Sequence, residues 1–169
     1  MKQKLALCCS LIHKPEILIL DEPTTGVDAV SRKEFWEMLK RLKDKEITIV
    51  VSTPYMDEAS LCDRVALIQN GKIMQIETPE NIVNQFPKTL WALQSQDMYR
   101  LINDMKQYSE TESIFAFGQF AHYTDKNDEL NIQEIENYLV SKNHTSIIIQ
   151  KTNPGIEDCF MRNMMDDKI

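Results

Sequence analysis

Two neighbouring acids, Asp21 and Glu22, are the residues whose type and position point most directly to chemistry. They follow four aliphatic residues, Ile17 to Leu20, which is typical of a strand buried on both faces of a parallel sheet. Where such a strand leaves the core, one carboxylate can bind Mg²⁺ and its neighbour can orient or deprotonate a water molecule. The same residues are also compatible with a buried strand that ends in a solvated turn. The flanking segments decide between the two interpretations.

The segments on either side predict a βαβ unit. An amphipathic helix over residues 1–13 precedes the strand, a second one over 29–43 follows it, and Ile47 to Val51 predicts a second strand. The expected inward-facing residues are Leu5, Cys8, Cys9 and Ile12 in the first helix, and Phe35, Met38, Leu39 and Leu42 in the second. Polar residues follow both strands, at the carboxyl ends where open α/β sheets bind ligands.

The residues after Pro87 predict a second, smaller α+β domain. Strands are expected over 89–94, 113–117, 120–124 and 145–150, with a hairpin around Gly118 and Gln119. Asp97 can cap a helix whose apolar face is Met98, Leu101, Ile102 and Met105. Asn131 and Glu134 form a possible capping box for a helix with Ile132, Ile135 and Leu139 inward. The resulting order is β-α-β-β-α-β, the split βαβ or ferredoxin-like order, and a last helix is expected over 156–165.

Composition excludes several classes of protein. A net charge of −7 argues against a nucleic-acid partner. No apolar run approaches the roughly 18 residues of a membrane span, so membrane contact is expected only through a partner. The four cysteines have no C-x-x-C spacing and no His at a metal-ligand distance. They predict reduced, largely buried thiols in a reducing compartment such as the cytoplasm.

In its first 87 residues the chain resembles the second half of an ABC-transporter ATP-binding subunit. Residues 1–7 resemble the segment directly after Leu-Ser-Gly-Gly in the signature motif, and residues 17–23 resemble the Walker B strand with its catalytic Glu. Gly26-Val27-Asp28 resembles the D-loop, and Ser52 to Ala59 resembles the switch region. The runs at 63–65, 70–73 and 78–80 also match in order and spacing. Residues 153–161, together with 116–118 and His122, more loosely resemble the ending of drug-exporter subunits.

The resemblance implies a role for each candidate site residue. Asp21 would bind the Mg²⁺ that bridges the phosphates of ATP, and Glu22 would polarise the attacking water. Asp28 would reach toward a partner's phosphate loop, and it also suits an N-cap. The start of the first helix, including Gln3, would face the partner's γ-phosphate. Thr53 would contribute a hydroxyl near that phosphate, or is a plain strand-end residue.

The chain departs from the family pattern in two ways. Its four glycines are not spaced for a phosphate loop, and the resemblance begins inside the signature motif. The expectation is therefore a C-terminal fragment, divided into 1–87 (half of a P-loop NTPase-type sheet) and 88–169 (an accessory domain). In addition, Pro54 stands where most of the family has His, so hydrolysis at this site is expected to be weak or absent.

Two classes of function remain open. In the first, the parent protein is the ATP-hydrolysing subunit of a multidrug-type exporter, which pairs with a second nucleotide-binding domain and a membrane permease. Such a subunit would be cytoplasmic and would reach the membrane through the permease. In the second, the chain is a non-catalytic interaction or dimerisation module of ABC-ATPase shape. Ribosome-binding ABC proteins are set aside, because they usually carry Thr-Asn-His-Leu-Asp where this chain has Thr24 to Asp28.

Overall fold

The computed structural model describes residues 2–127 and 129–166, except the side chains of Lys2, Gln3 and Asp166. Within these residues the chain is a mixed α/β protein, which confirms the predicted fold class at that level. The chain divides into two compact units, Met1–Cys62 and Asp63–Ile169.

The first unit is built around a short parallel sheet. Its elements are α1 (Lys2–Ser10), β1 (Ile17–Asp21), α2 (Ala29–Lys43), β2 (Thr48–Ser52) and α3 (Met56–Ala59). β1 and β2 are parallel, and Asp21 at the end of β1 lies opposite Ser52 at the end of β2. The predicted βαβ unit is therefore confirmed, and α2 has the predicted bounds.

The core of the first unit confirms one predicted helix face and corrects the other. Leu7, Leu18, Phe35 and Leu39 are buried, and Met38 and Leu42 pack against them, so α2 buries the expected face. In the segment of α1, however, the predicted inward residues Leu5, Cys8, Cys9 and Ile12 are all exposed. The helix packs through Leu7 instead, and Leu11, which follows the end of the helix, contacts the same core.

Strand β1 is buried on one face only, so the prediction of burial on both faces is wrong. Leu18 is buried, whereas Ile17 is 60% exposed and Ile19 is 76% exposed. Side chains alternate between the two faces of a strand. The helices of this unit therefore cover the face that carries Leu18, while Ile17, Ile19 and the exposed Val50 of β2 share the opposite face.

The second unit contains a hairpin and a four-stranded antiparallel sheet. The hairpin is β3 (Val65–Gln69) with β4 (Lys72–Glu77). The sheet has the spatial order β6-β7-β5-β8. The other elements are α4 (Pro79–Asn84), β5 (Leu90–Gln94), α5 (Met98–Lys106), β6 (Thr111–Phe117), β7 (Phe120–Asp125), α6 (Ile132–Ser141), β8 (Ile148–Thr152) and α7 (Ile156–Asp166). The observed order from β5 to β8 is the predicted β-α-β-β-α-β.

Local sequence signals in this unit are mostly confirmed. Asp97 caps α5 by accepting the Arg100 backbone N–H, and Asn131 caps α6 by accepting that of Glu134. β6 and β7 form the predicted hairpin around Gly118, whose positive φ of 58° suits glycine. Two details differ. Ile132 is exposed, and β8 begins three residues later than predicted, at Ile148, because Ser146 has a positive φ of 54°, which interrupts an extended strand.

The core of the second unit is larger than that of the first. Eight residues are buried together: Leu93, Leu101, Met105, Ile114, Ala121, Tyr123, Ile135 and Leu139. The predicted boundary between domains, at 87/88, lies within this unit, where α4 packs against α7 on the far side of that boundary. The division into 1–87 and 88–169 therefore stays a prediction.

The four cysteines form no disulfide with one another in the described structure, but the expectation that they are largely buried is wrong. Cys8 and Cys9 are exposed, Cys62 is half-buried and Cys159 is buried. The first two are exposed because α1 packs through Leu7 instead. Burial raises the pKa of the Cys159 thiol to about 11, and Asp158 beside it acts in the same direction.

Candidate functional site

The two candidate acids lie at the end of β1, beside a hydroxyl from the end of β2. The Ser52 hydroxyl donates a hydrogen bond to Asp21 Oδ1. The backbone N–H of Glu22 donates to the Ser52 carbonyl oxygen at 3.1 Å and lies 3.0 Å from Ser52 Oγ. Both carboxylates are exposed. The parallel register thus brings Asp21, Glu22 and Ser52 together, as the predicted strand ends required.

The backbone of Glu22 adopts an unusual conformation. Its φ is +43°, in the left-handed region, which costs a residue other than glycine about 1–2 kcal/mol. Such a conformation persists where its surroundings hold it, and it is found often at functional sites. Here the Ser52 contacts hold the Glu22 N–H, and the Thr25 hydroxyl donates to Glu22 Oε2 at 3.0 Å. The carboxylate of Glu22 is therefore held on the exposed side of the turn.

Thr53, a predicted nucleotide-binding residue, has its hydroxyl engaged within the unit. Its Oγ1 donates to Glu58 Oε2 at 2.6 Å and accepts the backbone N–H of Tyr55 at 3.1 Å. The second contact spans Pro54 and shapes the loop around it. In this conformation the Thr53 hydroxyl proton is directed at Glu58, and its assignment to a phosphate stays a prediction.

Glu58 is the residue of this region that the sequence analysis missed. Its side chain is buried, with only 1% of the residue exposed. Its Oε2 accepts hydrogen bonds from Thr24 Oγ1 at 2.9 Å and from Thr53 Oγ1, and its Oε1 lies 3.6 Å from Arg32 Nε. No signal in the sequence could have found Glu58, because Thr24 lies 34 residues away and the neighbouring Asp57 is also an acid.

Asp28 forms the predicted N-cap of α2. Its Oδ1 accepts the backbone N–H groups of Ser31 at 3.0 Å and Val30 at 3.1 Å. These bonds, that of Ser31 foremost, lower the pKa of the Asp28 carboxyl below its usual value. The carboxylate is exposed, so capping leaves it accessible. Gln3 belongs to α1, but its side chain lies outside the described residues, and the nucleotide roles of both residues stay predictions.

The donor set fits Mg²⁺ bound together with a nucleotide rather than a closed metal site. In the part of the chain that the structure describes, no three His, Cys, Asp or Glu residues come together as metal ligands. Mg²⁺ is commonly bound by one or two carboxylates, with water and phosphate oxygens completing its shell. Asp21 offers such a carboxylate at an exposed strand end.

Among the described helices, none has the length and apolar character needed to cross a membrane.

Comparison with known proteins finds that the chain is similar to ATP-binding proteins of transporters. It is 49% identical over 84 residues to a probable multidrug ABC transporter ATP-binding protein, YbhF, of Escherichia coli, which covers 50% of this chain and 14% of that protein. It is 29% identical over 164 residues to the Nod factor export ATP-binding protein I of Sinorhizobium fredii, covering 96% of this chain and 46% of that protein. A spermidine/putrescine import ATP-binding protein, PotA, of Mycoplasmopsis synoviae is 33% identical over 155 residues, covering 90% and 33%.

These relatives are longer than this chain, which spans less than half of each of the three. No protein-family model matches the chain. The similarity to the Sinorhizobium protein nevertheless extends over nearly all of its residues, across both compact units. The chain is therefore homologous to ATP-binding subunits of ABC transporters, including subunits of the multidrug type.

Proposed function

We propose that this chain supplies the Walker B strand, D-loop and switch region of an ATP-hydrolysing subunit of a multidrug-type ABC exporter. The observation that carries the proposal is the arrangement at the strand ends. Asp21 and Glu22 are both exposed there, and one hydroxyl, that of Ser52, contacts both residues. A site for a metal-bound nucleotide needs two carboxylates of this kind with different roles, placed side by side.

The roles follow from the contacts of each residue. Asp21 would hold Mg²⁺, which offsets the negative charge of the phosphates. Glu22 would orient the attacking water and accept its proton, since the turn holds its carboxylate on the exposed side and Thr25 donates to one oxygen, leaving the other available. Asp28 remains exposed while capping α2, and would contact the phosphate loop of a second ATP-binding domain. Gln3 and Thr53 complete the proposed nucleotide contacts.

The fold supports the same assignment at a finer level. We infer that the parallel pair β1–β2 is part of a P-loop NTPase-type sheet, and that 88–169 is a ferredoxin-like accessory domain. Exporters are favoured over importers by the loose resemblance of 153–161 and His122 to drug-exporter subunits. These two segments contact each other, because His122 Nδ1 lies 2.6 Å from Asp158 Oδ1. The proposed partners are a second ATP-binding domain and a membrane permease, at the cytoplasmic face of a membrane, with no nucleic acid.

A second candidate function is a non-catalytic module of the same shape, and Pro54 favours it. Proline has neither a backbone N–H nor a side-chain donor for the γ-phosphate. In addition, none of the four glycines of this chain is spaced for a phosphate loop, whose N–H groups and Lys supply most of the phosphate contacts. We therefore expect the chain alone to show no saturable heat when titrated with Mg-ATP in a calorimeter.

The two candidates are separated by substitutions in the complete ATP-binding subunit that contains this chain. Glu22→Gln should lower the ATPase rate by about 100-fold or more while Mg-ATP binding persists, because a general base is lost but the binding groups remain. Glu37→Gln, which changes another exposed acid of the same unit, is the matched control and should leave the rate unchanged. An unchanged rate in the Glu22→Gln variant would assign the site to the non-catalytic class.

A further inference from the structure

The buried acid Glu58 has a set of contacts that the proposed chemistry does not use. It lies on α3, and a buried carboxylate is unfavourable unless hydrogen bonds and an opposite charge compensate it. Its partners come from three different segments of the first unit: Thr24 from the turn after β1, Thr53 from the loop after β2, and Arg32 from α2. The Glu58 side chain therefore links these three segments to one another.

The two hydroxyl donors lie next to the proposed reacting groups. Thr24 is buried and follows Glu22 by two residues, and Thr53 directly precedes Pro54. Both hydroxyls donate to one oxygen atom, Oε2 of Glu58. The distance between the turn that carries Glu22 and the loop that carries Pro54 is therefore set by this single atom on the buried side, and by Ser52 on the exposed side.

Arg32 places a positive charge beside the other oxygen of the Glu58 side chain. Arg32 Nε lies 3.6 Å from Glu58 Oε1, and its Nη1 lies 3.7 Å from Asp57 Oδ2. The guanidinium also stacks over the Tyr55 ring at 4.3 Å. Neither Glu58 Oε1 nor Arg32 Nε makes a hydrogen bond within the described residues. Arg32 and Glu58 thus attract each other by charge, without a hydrogen bond between them. The two hydrogen bonds that the Glu58 side chain accepts come from Thr24 and Thr53.

We propose that Glu58, through Thr24 and Thr53, is a positioning residue that holds the Glu22 turn at a fixed distance from the Pro54 loop. This inference rests on the proposed function, because it assigns Glu58 to the alignment of the proposed base. Glu58 itself contacts neither phosphate nor water in this arrangement. The left-handed backbone of Glu22 is kept in place by contacts on both sides of the turn, and Thr24 supplies the buried one.

A first experiment uses this chain alone and does not depend on ATP hydrolysis. Thr24→Val removes the hydroxyl with little change in volume, and Thr24→Ser keeps it. Hydrogen exchange of the Glu22 amide, followed by NMR, should become at least about tenfold faster in Thr24→Val and stay near wild type in Thr24→Ser. Thr111→Val is the matched control, since it removes a hydroxyl bond to Met105 in the second unit. Unchanged exchange at Glu22 in Thr24→Val would overturn the inference.

A second experiment measures kinetics in the complete ATP-binding subunit. Thr24→Val should lower kcat by roughly 10- to 100-fold with a nearly unchanged KM for ATP, since misplacing a reacting group affects the chemical step more than binding. Thr24→Ser should restore kcat, and Thr111→Val should leave it unchanged. A lower melting temperature for Thr24→Val with unchanged kcat would show a structural role only and refute the proposal. If the unsubstituted subunit does not hydrolyse ATP, the proposed function fails, and the exchange experiment still decides the role of Glu58.

Discussion

Replacing Leu39 with alanine should strongly destabilise the first unit and leave the stability of the second unit unchanged. Leu39 is one of four buried residues in the core of the first unit. A buried Leu→Ala substitution costs roughly 3–5 kcal/mol. The 62 residues of the unit predict a total stability of about 3–9 kcal/mol, and the exposure of Ile17, Ile19 and Val50 places it toward the lower end. The substitution should thus remove most of the stability of this unit.

The second unit provides a matched comparison. Leu139 is fully buried within a cluster of eight residues, so Leu139→Ala makes the same chemical change in a larger core. We expect it to weaken the second unit by a similar amount without affecting the first. The same loss is a smaller fraction of a larger total, so the second unit should remain folded in the absence of denaturant.

The two tryptophans of the chain make the assay specific. Trp36 packs against the core of the first unit and Trp91 against that of the second. Urea unfolding followed by fluorescence in a Trp91→Phe chain therefore reports the first unit, and in a Trp36→Phe chain the second. Leu39→Ala should shift the Trp36 transition alone. A single coincident transition, moved equally by Leu39→Ala and Leu139→Ala, would refute this reasoning.

Three further predictions concern the loops and the thiols. In the complete subunit, Pro54→His should raise the ATPase rate, by at most roughly 10²- to 10³-fold for one added transition-state donor. The loop should keep its shape in this variant, because the Thr53 hydroxyl accepts the Tyr55 N–H across position 54. An unchanged ATPase rate would assign Pro54 to a non-hydrolysing site. Folding lowers the pKa of the Asp28 carboxyl, so the charged cap stabilises the folded chain fully above the usual pKa of 3.8. This stabilisation is lost as the pH falls from 3.8 through the lowered pKa. The difference in melting temperature between wild type and Asp28→Asn should therefore shrink from pH 7 to pH 3. Iodoacetamide at pH 8 should alkylate the exposed Cys8 well before the buried Cys159, whose pKa of about 11 keeps it protonated, and peptide mapping that finds equal rates would contradict this burial.

Local signals in the sequence predicted much of the fold correctly. The caps at Asp97 and Asn131, the hairpin at Gly118 and the helix over residues 29–43 depend on neighbours within a few positions, and the structure confirms all of them. Periodicity was misleading for α1, because the predicted face contains Leu5 whereas the residue that packs is Leu7. Which of the two meets Phe35 and Leu39 depends on tertiary packing.

The candidate site shows the same limit. Asp21 and Glu22 could be identified because they directly follow an aliphatic strand, and the parallel register then places them as expected. Glu58 could not be identified, since its importance comes from partners 34 and 5 residues away that only folding brings together. In the sequence Glu58 stands beside Asp57, and both are acids of the same short helix. In the structure Glu58 is buried, whereas Asp57 is exposed.

The pairing of β5 with β8 has a consequence for how this chain can be rebuilt. Leu90, at the start of β5, lies directly opposite Thr152, at the end of β8, so residues 90–152 leave the rest of their unit and return to it at adjacent points. The flanking helices α4 and α7 pack together just outside this junction, where Cys159 Sγ donates to the Ile82 carbonyl oxygen at 3.3 Å. The two ends of this segment are therefore close enough for a short linker to join them, so we expect the sheet to tolerate a circular permutation that joins Leu90 to Thr152 and opens new ends at Gly118.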